Sequence, residues 1–211
     1  QGVVTEPFYL ASQSSRPSDS NRPKFANTSD DLLRESAFCL IPAAPIANYL
    51  DADSANSPSM TIDKMGTWKV IVEGANTYSP DKDRKSCRHK MEREVYRKRG
   101  ILIATDYLVN SGGVIFAAQE HLVKTPQHLR VPDRLLGNRS EVDRWLADHN
   151  SDFSKLAEQR LIAAQKARDT VIRNNMRELV DLLVSDGDML PSEAAEKISI
   201  RRITAREKNR T

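Results

Sequence analysis

"WKVIVEGANTYSP", residues 68–80, decides how this chain folds. Val70, Ile71 and Val72 form an unbroken apolar run, not an alternating one. Such a run fits a strand buried on both faces, as in a parallel sheet. The run stops at Glu73-Gly74-Ala75-Asn76, before the turn signal Ser79-Pro80. A chain that leaves a buried strand through small residues sets a short neutral amide at the strand's carboxyl end. In open parallel sheets, ligands bind outside those ends.

Two other stretches are built the same way. "FCLIPAA" (38–44) is an apolar run that ends in small residues. "ILIATDYLVNSGG" (101–113) is an apolar run followed by Asn110 and two glycines. The pattern predicts three parallel strands at about 37–42, 69–73 and 101–105. Residues 80–99 read as a helix, with Pro80, Asp81 and Asp83 at its start and Gly100 as its stop. That helix would be a right-handed crossover between the second and third strands. Cys87, Met91 and Val95 recur at fours and mark its apolar stripe. A helix from about Val114 to Val123 follows the third strand, with Gly112-Gly113 opening it, where unpaired N–H groups face outward.

Upstream, residues 11–30 are rich in Ser, Asn, Asp and Pro and read as a surface loop, as do residues 51–61. "DDLLRESA" (30–37) reads as a short helix. After Pro126 the pattern is helical: "SEVDRWLADH", then 152–185, then "PSEAAEKISIRRITAREK". Phe153, Leu156, Ala157, Leu161, Ala164, Val171, Ile172, Leu179 and Leu183 fall near a 3.6-residue period. The expected fold is therefore α/β: a partial Rossmann-like, doubly wound parallel sheet in residues 1–125, then a helical region, 126–211, packing on it.

Composition narrows the class. With 39% hydrophobic and 29% charged residues, the 211-residue chain suits a water-soluble globular protein. No apolar run reaches the roughly 18 residues of a membrane span. No secretory pattern opens the chain, so the expected location is the cytoplasm, with no membrane partner. The net charge of +3 is too mild to imply a nucleic-acid field. Cys39 and Cys87 have no metal-type spacing, so no metal site is expected, and Cys39 reads as a buried thiol without a disulfide. His89, His121, His128 and His149 are scattered, Trp68 and Trp145 read as packing residues, and Asp106 reads equally as a structural cap or a ligand contact.

The three strand ends together, "LIPAA…IVEGAN…RGILIATDYLVNSGGV", resemble the C-terminal half of the cofactor domain in the glutamate/leucine/phenylalanine/valine dehydrogenase family. Ser111 stands where that family usually has Ala. The resemblance covers roughly residues 37–121. It implies NAD- or NADP-dependent oxidative deamination of an L-amino acid to a 2-oxo acid and ammonia, by a homo-oligomer. The backbone of Ala43 and Ala44 would lie along the dinucleotide. Asn76 would stand near the nicotinamide ribose or carboxamide, and Asn110 would contact the nicotinamide end. Gly112 and Gly113 would permit close approach. Val114 and Ala117 match positions lining the amino-acid side-chain pocket. Ala117 fits branched-chain or aromatic substrates, while "VEGAN" with Glu73 fits glutamate.

The family's Gly-rich dinucleotide fingerprint is not in the sequence, nor is a substrate domain with its catalytic Lys and Asp. No catalytic residue is therefore expected in this chain, and Gln1 in place of Met agrees with a C-terminal piece of a longer enzyme. The substrate domain would precede it in the same chain or form a separate subunit. Two other readings are a non-catalytic remnant or regulatory subunit of such an enzyme, and a basic helix pair, "PSEAAEKISIRRITAREKNR", that binds nucleic acid. Dinucleotide binding separates the first, and salt-dependent DNA binding the second.

Overall fold

The structure is a computed structural model, and it describes residues 3–4, 24–25, 29–43, 49–52 and 62–208. Ala44 and residues 53–61 lie outside the described residues, as does most of 11–30. The elements in chain order begin with β1 (Val3–Val4), β2 (Lys24–Phe25), α1 (Ser29–Arg34) and β3 (Cys39–Leu40). Then come β4 (Val70–Val72), α2 (Lys82–Glu92), β5 (Leu102–Ala104), α3 (Asp106–Val109) and α4 (Gly112–Leu122). Among the described residues, α5 (Arg139–Asp148), α6 (Asn150–Ser185) and α7 (Pro191–Lys208) follow.

The fold is α/β, with a three-stranded parallel sheet of order β3-β4-β5 and a mostly helical remainder. Ile71 pairs with Leu40 on one side and Ile103 on the other. All three strands fall where the apolar runs predicted them, but they are shorter. β3 pairs over two residues only, and its flanks Phe38 and Ile41 are 76% and 61% exposed, so this run is not buried throughout. The stretch expected to be a loop over 11–30 contains β2, which pairs parallel with β1.

The chain falls into two compact units, Gln1–Asn110 with Met176–Thr211, and Ser111–Asn175. In the first unit one core cluster lies around the sheet: Leu40, Leu50, Trp68, Ile71, Met91, Val95 and Ile103 among others. Trp68 Nε1 donates to the Glu35 carbonyl at 2.9 Å, and Gly66 N–H donates to the Leu33 carbonyl at 2.8 Å. A Cβ at Gly66 would stand 2.2 Å from the Glu35 carbonyl oxygen, so only glycine lets the chain pass there. A second cluster, Leu108, Leu179, Leu183, Ala194, Ala195 and Ile198, packs α3 against the end of α6 and the start of α7.

The crossover is α2, which runs on as a π-helical stretch over Arg93–Lys98. Asp81 caps it by accepting from the Asp83 and Arg84 N–H groups. Gly100, at φ +67°, then turns the chain into β5. Met91 and Val95 are buried as the stripe predicted. Cys39 and Cys87 are free and half-buried, and burial raises the Cys39 thiol pKa.

In the second unit, Leu129, Leu156 and Ala164 are buried. Arg160 donates to the Val123 carbonyl at 3.1 Å and to Thr125 Oγ1 at 3.0 Å. The Trp145 ring stacks on His149 at 4.3 Å and meets Phe153 edge-on, so it packs as expected. The 3.6-residue period of α6 overstates its burial: Leu161 and Val171 are 47% and 39% exposed. At 36 residues, α6 is roughly 54 Å long, which is more helix than one core covers. No described helix is long and apolar enough to cross a membrane.

Candidate functional site

The carboxyl ends of the strands carry two kinds of residue, one kind buried and the other exposed. Glu73 follows β4 directly and is fully buried. A carboxylate withdrawn from water must be paired and fully hydrogen-bonded. Here Tyr49 Oη donates to Glu73 Oε1 at 2.6 Å, and Arg88 Nη1 lies 2.6 Å from the same oxygen. Arg88 Nη2 donates to Glu73 Oε2 at 2.9 Å, which makes the pair bidentate. Arg88 Nε donates to Glu92 Oε1 at 2.6 Å, one helical turn on. Glu92 is also fully buried, and its carboxylate receives the Ser192 Oγ at 2.7 Å and the Ser192 N–H at 3.2 Å. The start of α7 is thereby tied to α2.

Asp106, 2% exposed, follows β5 in the same way. Its Oδ2 accepts the Thr77 N–H at 2.7 Å and the Tyr78 N–H at 2.6 Å, and its Oδ1 accepts the Tyr107 N–H. Its own N–H donates to Glu73 Oε2 at 3.1 Å. Asp106 is therefore a buried structural cap. The first strand end is stitched on by the Pro42 carbonyl, which accepts from the Gly74 and Ala75 N–H groups at 3.1 Å each.

These bonds bring Asn76 and Asn110 together. Asn110 Nδ2 donates to Asn76 Oδ1 at 2.9 Å on the exposed side of the strand ends. The pairing leaves Asn76 Nδ2 to donate and Asn110 Oδ1 to accept, with no other partner among the described residues. One donor beside one acceptor is the complement of a primary carboxamide, so the pair fits a nicotinamide in its chemistry. Ala43 is exposed beside Gly74, where an added Cβ would meet Ile41 and Ala43 only at ordinary contact distances. In the other unit, Gly112 and Gly113 open α4, and a Cβ on either would meet nothing within 4 Å. Val114 is 75% exposed and Ala117 is exposed. The N-cap of α4, Ser111, makes no side-chain cap bond.

Sequence reasoning missed Arg88 and Glu92, which sit in a run of basic residues that reads as a solvated face. The signal that finds them is Glu73. An acid at the end of a buried strand needs a buried cation, and the crossover helix is where one can come from. Burial opposes the Arg88 charge, but Glu73, Tyr49 and Glu92 outweigh it and raise its pKa. Among the described residues no three His, Cys, Asp or Glu side chains converge to hold a metal ion.

The Tyr49 hydroxyl has its pKa pushed well up, first by burial and then by the Glu73 charge. Its folded-state pKa exceeds the unfolded value of about 10, so its contribution is whole below that pH and is lost as pH rises above it. In urea titrations the stability of the chain should fall above about pH 10, by up to roughly 1.4 kcal/mol per pH unit for this one group. Tyr49→Phe should flatten that fall while costing about 1.5–3 kcal/mol at neutral pH for the lost bond to a carboxylate. An unchanged alkaline slope would mean that Tyr49 is not the titrating group.

Comparison with known proteins bears on the same residues. The family model described as Glutamate/Leucine/Phenylalanine/Valine dehydrogenase matches residues 11–182, which include all three strand ends, the crossover and α4. No curated protein and no solved structure matches the chain. Matched over most of its length, this chain belongs to the glutamate/leucine/phenylalanine/valine dehydrogenase family, a family of amino-acid dehydrogenases.

Proposed function

We propose that the chain is the C-terminal, dinucleotide-side portion of an enzyme that oxidatively deaminates an L-amino acid to a 2-oxo acid and ammonia. In this reading residues 1–125 are part of the dinucleotide-binding domain, and 126–211 are the helical region that completes the portion. The observation that carries the reading is the Asn76–Asn110 pair, in the segments that follow neighbouring parallel strands. NAD or NADP supplies the hydride acceptor when bound. The work of this chain is to hold and orient it. Asn76 Nδ2 and Asn110 Oδ1 would grip the carboxamide without adding charge beside a transferring hydride. The Ala43-Ala44 backbone would lie along the dinucleotide, and Gly112 and Gly113 would admit it closely. Val114 and Ala117 would line the amino-acid pocket. Proton transfer would belong to a substrate domain, in the same longer chain or in a separate subunit.

Glu73 carries no weight in the choice of substrate, because both of its oxygens face inward to Tyr49, Arg88 and the Asp106 N–H. The apolar Ala117 remains, and it favours a branched-chain or aromatic amino acid.

Titration of NADH fluorescence with the chain tests this reading. Asn110→Leu removes the Oδ1 acceptor and the amide that holds Asn76, and adds bulk, so the dissociation constant should rise at least about tenfold, since an unpaired polar group costs about 1–3 kcal/mol. Asn110→Ser shortens the reach and should fall between. If the chain does not bind NADH even when joined to a Gly-rich segment and substrate domain of this family, a regulatory remnant becomes the better account. If Asn110→Ser binds as well as the parent, Asn110 does not contact the cofactor.

A further inference from the structure

Asp106 and Glu73 hold each other's loops. Glu73, at the end of β4, accepts the N–H of Asp106 at 3.1 Å, and Asp106, at the end of β5, accepts the N–H groups of Thr77 and Tyr78 in the loop after β4. Thr77 Oγ1 also approaches Asp106 Oδ2 at 3.4 Å. The two carboxylates thus exchange backbone donors across neighbouring strand ends. Asn76 lies between the two anchored points, Glu73 and Thr77. Asn110 closes the single turn that Asp106 begins, its N–H donating to the Asp106 carbonyl at 2.7 Å. Neither asparagine is itself buried, so its own packing does not fix it.

We infer that Asp106 and Glu73 are positioning residues that set the spacing of the Asn76 and Asn110 amides, and with it the affinity for the dinucleotide. The loop coupling stands on the hydrogen bonds alone. The link to affinity rests on the reading of these asparagines as cofactor contacts. Arg88 and Tyr49 hold Glu73 from behind, so the reciprocal bonds have a fixed base.

The experiment compares the whole chain with Asp106→Ala and Asp106→Asn. Three readouts are taken: amide hydrogen exchange, the side-chain amide resonances of Asn76 and Asn110, and NADH affinity. Asp106→Ala should speed exchange at Thr77 and Tyr78 by at least about tenfold, as local opening does, while the β4 and β5 amides keep their protection. Both asparagine resonances should shift, and NADH should bind about tenfold more weakly or worse. Asp106→Asn keeps an accepting oxygen but sets an NH2 against one backbone N–H, so it should fall between on all three. If Asp106→Ala does not fold, Asp106→Asn decides by the same exchange and resonance shifts. Unmoved asparagine resonances in a folded variant overturn the inference, as does loosening that spreads evenly over the sheet. An unaltered chain that fails to bind NADH even when joined to a Gly-rich segment and substrate domain of this family defeats the cofactor reading, and the exchange and resonances still judge the coupling.

Discussion

Replacing Arg88 by Met should cost about 3–5 kcal/mol of unfolding free energy, the usual result of removing one partner from a buried ion pair. Arg88 is the cation that bridges Glu73 and Glu92, and both of those side chains are fully buried. Without it each carboxylate loses its charge partner but stays out of water. A Met fills the same space and isolates the charge effect from packing. Urea unfolding followed by circular dichroism measures the loss, and a change under about 1 kcal/mol would show that the network does not hold the fold together. The contrast is a triple change, Glu73→Gln with Arg88→Met and Glu92→Gln. Removing all the charges together should be milder than removing Arg88 alone, because buried pairs replaced as a set are often neutral to stability. The single change should also loosen the start of α7, because Glu92 receives the Ser192 hydroxyl and N–H.

The other large effect is expected at Leu179, which is fully buried against Leu108, Ala194, Ala195 and Ile198. Leu179→Ala should destabilise the chain by about 2–5 kcal/mol, the range for a leucine truncated in a packed core. Leu179→Met, which keeps the volume, should cost less than about 1.5 kcal/mol. Leu108 lies in the same helical turn as Asn110, so the cavity opens beneath the candidate site. NADH affinity of Leu179→Ala, measured at a temperature where the variant is folded, should fall with stability. Thermal unfolding that is unchanged from the parent would exclude this docking of α6 and α7 on α3.

The sheet could be read in the sequence because a strand covered on both faces leaves a continuous apolar run, and "KVIV" and "ILIAT" are such runs. The runs fixed strand position better than strand length. Phe38 and Ile41 are as apolar as Leu40, yet they are exposed at the edge of the sheet. No local pattern tells an apolar residue that finds a neighbour from one that does not. The Asn76–Asn110 pair was legible because the two residues lie in the segments that follow strands neighbouring each other in the sheet. Ala44 lies outside the described residues. The charged hub was not legible. Arg88 and Glu92 stand among Arg84, Lys85, Lys90, Arg93 and Glu94 in a stretch that looks solvated throughout. Which two of these turn inward depends on the phase of α2 over the sheet, and that is a tertiary fact. Glu73 reads in the sequence as a family letter, while its work is to fill the space behind the two loops.

The π-helical stretch at the end of α2 has a consequence for how the chain tolerates change in length. A π turn carries about one residue more than the α turn it replaces. Ile101 N–H still reaches the Val95 carbonyl at 3.2 Å, and Gly100 N–H reaches the Tyr96 carbonyl at 3.0 Å, so β5 is entered in step despite the surplus. Arg93–Lys98 therefore holds about one residue more than an α turn would between Arg88 and Leu102. A relative one residue shorter in the crossover would lose it there and become plain α-helix, with both strands and the ion-paired hub in register. When such sequences are aligned, the gap belongs between residues 93 and 98, not in the loop before "ILIAT".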